Sequence, residues 1–213
     1  MQFKKGAEVV SQEGDEIGTL DRVVLDPVTK EAAYLVVRSG FILTEDKLIP
    51  IKQVGSVTEE QITVMASGAE VEDFPTYYEV EYIATDQAGS PDEAELSYWY
   101  PPAASWNPAG RSIPFSQPLH IERVGKNIRE NMIAVKQGAK VISSDGEHVG
   151  NIERMITDEN KDYVTHLVIS SGLLLKERKL IPAYWLTDVS EDEVRLAVEA
   201  GFLERLLEFH IES

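Results

Sequence analysis

Acid–base, metal or nucleophilic chemistry in this sequence would have to come from four histidines and 37 aspartates and glutamates, because there is no cysteine. Zinc needs three or four convergent ligands. His120, His148, His166 and His210 place no two imidazoles at ligand spacing on one element, and only His148 stands near carboxylates, those of Asp145 and Glu147. The tract Asp158-Glu159-Asn160-Lys161-Asp162 begins like a calcium loop. Tyr163 stands where that loop needs glycine, however, and Ile169 where it needs a bidentate glutamate, so the tract reads as a polar hairpin turn. Gly14-x-x-x-Gly18 and Gly146-x-x-x-Gly150 suggest a phosphate loop only in outline. Asp15, Glu16 and Glu147 would repel phosphate, and no Lys followed by Ser or Thr comes after them. Ser39 and Ser171 precede glycine without a nucleophile-elbow pattern. No catalytic, cofactor-binding or metal-binding residue is therefore assigned, no cofactor is implied, and the chain reads as a non-enzyme.

The elements that position these residues come in two copies. Residues 6–64 align without a gap onto residues 138–196, with 20 of 59 positions identical, Gly14 with Gly146, Arg22 with Arg154 and Asp26 with Asp158 among them. An offset of 132 is too long for a solenoid repeat, so each copy reads as a small domain with its own core. Short runs rich in β-branched residues predict strands near 7–11, 17–25, 32–38, 47–51 and 61–66, and again near 139–143, 149–157, 163–170, 179–183 and 193–198. Alternation assigns Ala33, Leu35 and Val37 to the core, matched by Thr165, Leu167 and Ile169, with Tyr34 and His166 on the other face. So many short strands favour a small, nearly closed antiparallel barrel. A helix is expected after each copy, carrying Phe202, Leu203, Leu206, Leu207 and His210 in the second and only short in the first, before Pro75.

Gly14-Asp15-Glu16-Ile17-Gly18, the apolar strand ending at Asp26, Leu35-Val36-Val37 and the run Lys47-Leu48-Ile49-Pro50 all recur in the second copy. In this order the motifs resemble the PRC-barrel family. The resemblance implies a small antiparallel barrel used as a non-catalytic docking module, in a photosynthetic reaction-centre subunit, a ribosome-maturation factor and archaeal cell-division adaptors. It implies no single activity. The expected architecture is mainly β. A first PRC-barrel-like domain spans 1–75, a connecting Pro- and aromatic-rich acidic segment 76–132, and a second such domain with its C-terminal helix 133–213.

Hydrophobic residues make up 43% of the 213, which suffices for a packed core, and no apolar run reaches the length of a membrane span. The start carries no secretory signal, so the expectation is a soluble, cytoplasmic protein without membrane insertion. The net charge of −17 is spread over every third of the chain and opposes approach to nucleic acid or an anionic membrane. Two apolar features lack a place in the barrels. The triplets Phe41-Ile42-Leu43 and Leu173-Leu174-Leu175 each follow a Ser-Gly break, and three consecutive apolar residues cannot all face inward from one strand. The connecting segment carries Tyr98, Trp99, Tyr100 and Trp106 among prolines, and Glu79 to Ala84 alternates like a further strand. These ten residues are the candidate interaction surface. The expected function is an adaptor that docks a protein partner, not identifiable from sequence, or self-associates as a homo-oligomer. The alternatives are a small-ligand sensor or acidic enzyme with its site between the barrels, and a ribosome-assembly factor acting through a ribosomal protein.

Overall fold

The computed structural model describes residues 1–39, 45–84, 120–158, 160, 163–171 and 177–209. In the first barrel the strands are β2 (Glu8–Val10), β3 (Glu16–Leu25), β4 (Ala32–Ser39), β5 (Lys47–Pro50), β6 (Val54–Val57) and β7 (Gln61–Val64). They form one sheet in the order β5-β4-β3-β2-β7-β6. The second barrel repeats it with β11 (Lys140–Ile142), β12 (His148–Thr157), β13 (Val164–Ser171), β14 (Glu177–Pro182), β15 (Leu186–Val189) and β16 (Glu193–Leu196). All pairs within a barrel are antiparallel except one in each, β2 with β7 and β11 with β16, which are parallel. Two compact units emerge from the chain: residues 1–77 with 128–213, and residues 78–127. The second unit contains the antiparallel pair β8 (Tyr78–Ala84) and β9 (His120–Lys126), where the alternating run was expected to form a strand.

Hydrogen-bonding chemistry explains why the repeated motifs fold alike. Ser11 and Ser143 are buried, and each hydroxyl accepts backbone N–H groups of the following turn, from Glu13 and Asp15 in one copy and from Glu147 in the other. Gly14 and Gly146 close these turns at φ of 90° and 87°, a region that penalises any residue with a Cβ. The Asp26 carboxylate accepts from the N–H groups of Val28 and Thr29, and the Asp158 carboxylate accepts from that of Tyr163, next to the antiparallel pair β12 and β13. The lysine of the Lys-Leu-Ile-Pro run has a structural task. Lys47 Nζ donates to the Glu72 carbonyl at 2.8 Å, at the end of α1 (Gly68–Glu72). Lys179 Nζ donates to the carbonyls of Leu206 at 2.6 Å and Glu204 at 3.4 Å, at the end of α2 (Ala200–Glu204). An ammonium there satisfies carbonyls that the helix leaves unpaired.

Both helices are five residues long, so the second is shorter than the apolar spacing over 202–210 suggests. Lys179 gathers its last carbonyls, the chain turns at Arg205, and the N–H of Phe209 bonds Arg178 O at 2.7 Å. Its counterpart Tyr77 bonds Asp46 O at 2.8 Å in the same way. The expected alternation on β4 also needs correction. Leu35 and Val37 face the core, but a register shift between Val24 and Leu25 brings in Ala32 rather than Ala33. The opposite face is buried as well. Val24, Val36 and Leu48 pack beneath Tyr77, Met132 and Ala134, with Ala33 and Tyr34 at the margin.

The two copies do not have separate cores. β1 (Gln2–Lys4), which precedes the first barrel, pairs antiparallel with β12 of the second, with Phe3 opposite Met155. β10 (Ile133–Lys136), which precedes the second barrel, pairs with β3 of the first, with Val135 opposite Val23. Phe3, Val135, Met155 and Val23 are all buried and belong to one continuous apolar cluster running through both barrels. Four contacts across the seam form two pairs with their partners exchanged. Gln137 N–H donates to Asp21 O at 2.8 Å and Lys5 N–H to Glu153 O at 3.0 Å. Arg22 pairs with Glu191 at 3.0 Å, and Arg154 with Glu59 at 3.2 Å. This reciprocity is that of an isologous dimer interface, held here within one chain. Two identities of the alignment, Arg22/Arg154 and Glu59/Glu191, thereby acquire a physical cause.

Candidate protein-interaction surface

The ten residues selected from sequence, Phe41, Ile42, Leu43, Leu173, Leu174, Leu175, Tyr98, Trp99, Tyr100 and Trp106, lie outside the described residues. Among the described residues, the exposed large apolar side chains of the second barrel include a cluster that its first-barrel counterpart lacks. Pro182, at φ −61°, ends β14 and leads into one turn of 3-10 helix, Ala183–Trp185, closed by the Leu186 N–H on the Ala183 carbonyl. Ala183 is buried and anchors the turn, which leaves Tyr184 78% exposed and Trp185 half-buried against the core. On α2, Ala200 and Leu203 point inward, so Phe202 between them points out and is 42% exposed. Asp145 fixes the start of that helix by accepting the Ala200 N–H at 3.2 Å. The Ser143 hydroxyl holds the Asp145 carboxyl below its usual pKa, against a lesser opposing effect of burial, with the Ala200 N–H adding less than either.

The three rings form one cluster. Tyr184 and Trp185 meet edge to face, with centroids 6.0 Å apart at 80°, and Trp185 and Phe202 do so at 5.6 Å and 73°. Neither the Tyr184 hydroxyl nor the Trp185 indole N–H has a hydrogen-bond partner among the described residues. The corresponding positions of the first barrel carry Lys52, Gln53 and Glu70 on the same 3-10 turn and the same short helix. From sequence, only Phe202 of the three was singled out, as part of the expected C-terminal helix. The available signal was the alignment: Lys52 and Gln53 stand opposite Tyr184 and Trp185, and continuing it past residue 64 at the same offset sets Glu70 opposite Phe202.

A model of the PRC-barrel domain matches residues 5–71 and again residues 137–202. The chain belongs to the PRC-barrel family. The two matches cover the six strands of each barrel and the start of the short helix that follows, so this is a tandem PRC-barrel protein, mainly β, as its repeats predict. PRC-barrel domains often serve as protein-interaction modules, and the family is in general non-catalytic. No curated protein matches the chain. No helix among the described residues is long and apolar enough to cross a membrane.

Proposed function

We propose that this tandem PRC-barrel protein is a non-catalytic scaffold that docks a protein partner on the aromatic face of its second barrel. The observation that carries the reading is the exposure of Tyr184 and Phe202 around Trp185, at positions where the first barrel folds with Lys52, Gln53 and Glu70. The fold does not require aromatic rings there. Exposed Tyr and Trp with an apolar body and an unpaired polar tip are the side chains most enriched at interface centres. Between the barrels, by contrast, the exchanged strands and their apolar side chains occupy the space in which an enzyme or sensor would need a cleft.

The test exchanges the face for its first-barrel equivalent, Tyr184→Lys, Trp185→Gln and Phe202→Glu together. Crosslinking in native cells followed by mass spectrometry should recover a protein with the wild-type chain and lose it with the triple variant, which should still unfold in one cooperative transition above the temperature of the experiment although Trp185→Gln removes a half-buried ring. Equal recovery by both chains overturns the assignment to this face. The same experiment on Phe41→Ser with Leu43→Ser, and on Leu173→Ser with Leu175→Ser, then asks whether the apolar triplets do the docking.

A further inference from the structure

We infer that the Tyr184–Trp185–Phe202 face receives a proline-rich, basic peptide segment in the polyproline II conformation, an inference that rests on the docking reading above. The argument begins with what the face offers. Two ring-edge contacts at 80° and 73° present aromatic surfaces at an angle to one another rather than as a flat stack, which suits the insertion of a compact apolar ring. Its ring-borne polar groups are the phenol of Tyr184 and the indole N–H of Trp185, neither with a hydrogen-bond partner among the described residues. A ligand must therefore bring unpaired acceptors alongside apolar rings.

Backbone chemistry separates the possible ligands. A helix has used its carbonyls internally and has few to give. An extended strand carries a row of N–H donors that needs a row of backbone acceptors such as a sheet edge provides, and a cluster of three rings is not such an edge. A polyproline II segment leaves every carbonyl free, carries no N–H at proline, and docks with little further loss of conformational entropy.

Charge selects the basic form. Residues 183–209, which carry all three aromatics, contain seven acids and two arginines; Glu191, Asp192 and Glu193 are engaged by Arg22, Lys136 and Arg195, which leaves Asp188, Glu199, Glu204 and Glu208 without an ion pair among the described residues, against Arg205. Glu199 and Glu204 lie within three residues of Phe202 and are exposed. Set within a chain of net charge −17, this field attracts a cationic segment and opposes both an acidic peptide and a second copy of the chain.

The experiment is a fluorescence-anisotropy titration of the full chain against a short synthetic peptide with repeated prolines and flanking arginines. Saturable binding is expected, weakened by added salt, reduced by about tenfold or more in the Tyr184→Lys, Trp185→Gln, Phe202→Glu triple variant, and reduced by a smaller factor in Tyr184→Phe, which removes only the hydroxyl. Three results would each overturn the inference: no binding to the wild-type chain, equal binding of the same peptide with alanine in place of proline, or equal binding by the triple variant. The docking reading has a separate outcome. If the cellular crosslink still depends on the three aromatics while the proline peptide fails to bind, docking stands and the ligand class assigned here is wrong.

Discussion

The first and second barrels share a strand order, a register and a pair of seam arginines, and differ in what they show to solvent. In the first, the outer face of β3, β4 and β5 is roofed by Tyr77, Met132 and Ala134, and the 3-10 turn is polar. In the second, Gln2 stands in the register position of Ala134, and the turn and short helix carry Tyr184, Trp185 and Phe202. Whatever the two copies keep in common builds the seam and the turns, which are conditions for folding. The surface positions that differ are free of those conditions, so they are where one copy can be specialised for binding while the other serves as scaffold.

The exchanged strands give the strongest way to break this comparison. Phe3 and Val135 occupy equivalent seam positions and both are fully buried, but Phe3 has the larger side chain. Phe3→Ala should cost about 3–5 kcal/mol and Val135→Ala about 1–3 kcal/mol, both read from urea unfolding. Because one apolar cluster runs through both barrels, each variant should still unfold in a single transition. Two separated transitions would mean that the barrels are energetically independent.

The seam ion pairs sharpen the comparison at smaller magnitude. Arg154 is 4% exposed and is met by Glu59 at 3.2 Å and the Gln2 side-chain oxygen at 3.4 Å, whereas Arg22 also has Asp21 at 3.2 Å besides Glu191. The counterpart of Asp21, Glu153, is turned instead to Arg178 at 2.9 Å. Removing Glu59 therefore leaves a buried cation without a carboxylate, while removing Glu191 does not. Since Glu59 itself is half-exposed, Glu59→Ala should cost about 1–2 kcal/mol and Glu191→Ala under about 1 kcal/mol in the same assay. Next in size are the helix-end lysines. Lys179→Met loses two carbonyl contacts and Lys47→Met one, so the melting temperature should fall further for the Lys179 variant.

Much of this architecture was legible in the sequence. Ten of the strands inside the barrels fall where β-branched runs and turn residues put them, because Gly14, Asp26 and their counterparts act through local backbone chemistry. The strand exchange was not legible. Gln2–Lys4 and Ile133–Lys136 are three and four residues long and have only their final lysine in common, and nothing local says which barrel a short strand will join. That choice is made by burying Phe3 against Met155 and Val135 against Val23, contacts that span most of the chain. The parallel pairs were equally hidden, since they depend on where β7 and β16 return after the 3-10 turn. Of the candidate surface, the ten residues chosen from sequence lie outside the described residues, and Tyr184, Trp185 and Phe202 were not among them.

The finest test is acid titration, because the two barrels use carboxylates differently to hold their turns. In the first, Thr29 and Val28 N–H groups, and to a lesser degree Asn131, draw the Asp26 carboxyl below its ordinary value of 3.8, and Ser67 draws Glu70 below 4.5. In the second, Ser143 chiefly does the same for Asp145. A carboxyl with a folded pKa lower than its unfolded pKa contributes stability that is fully present above the unfolded value and is lost as pH falls through the folded one. The melting temperature should therefore be level near neutrality and decline below about pH 4. Asp26→Asn combined with Glu70→Gln keeps acceptors in place while abolishing both titrations, so it should flatten that decline more than Asp145→Asn does. All three groups are solvent-accessible, which keeps the effect small and makes the slope against pH, rather than the stability at neutral pH, the quantity to measure. An equal decline in wild type and both variants would mean that these three carboxylates do not set the acid limb.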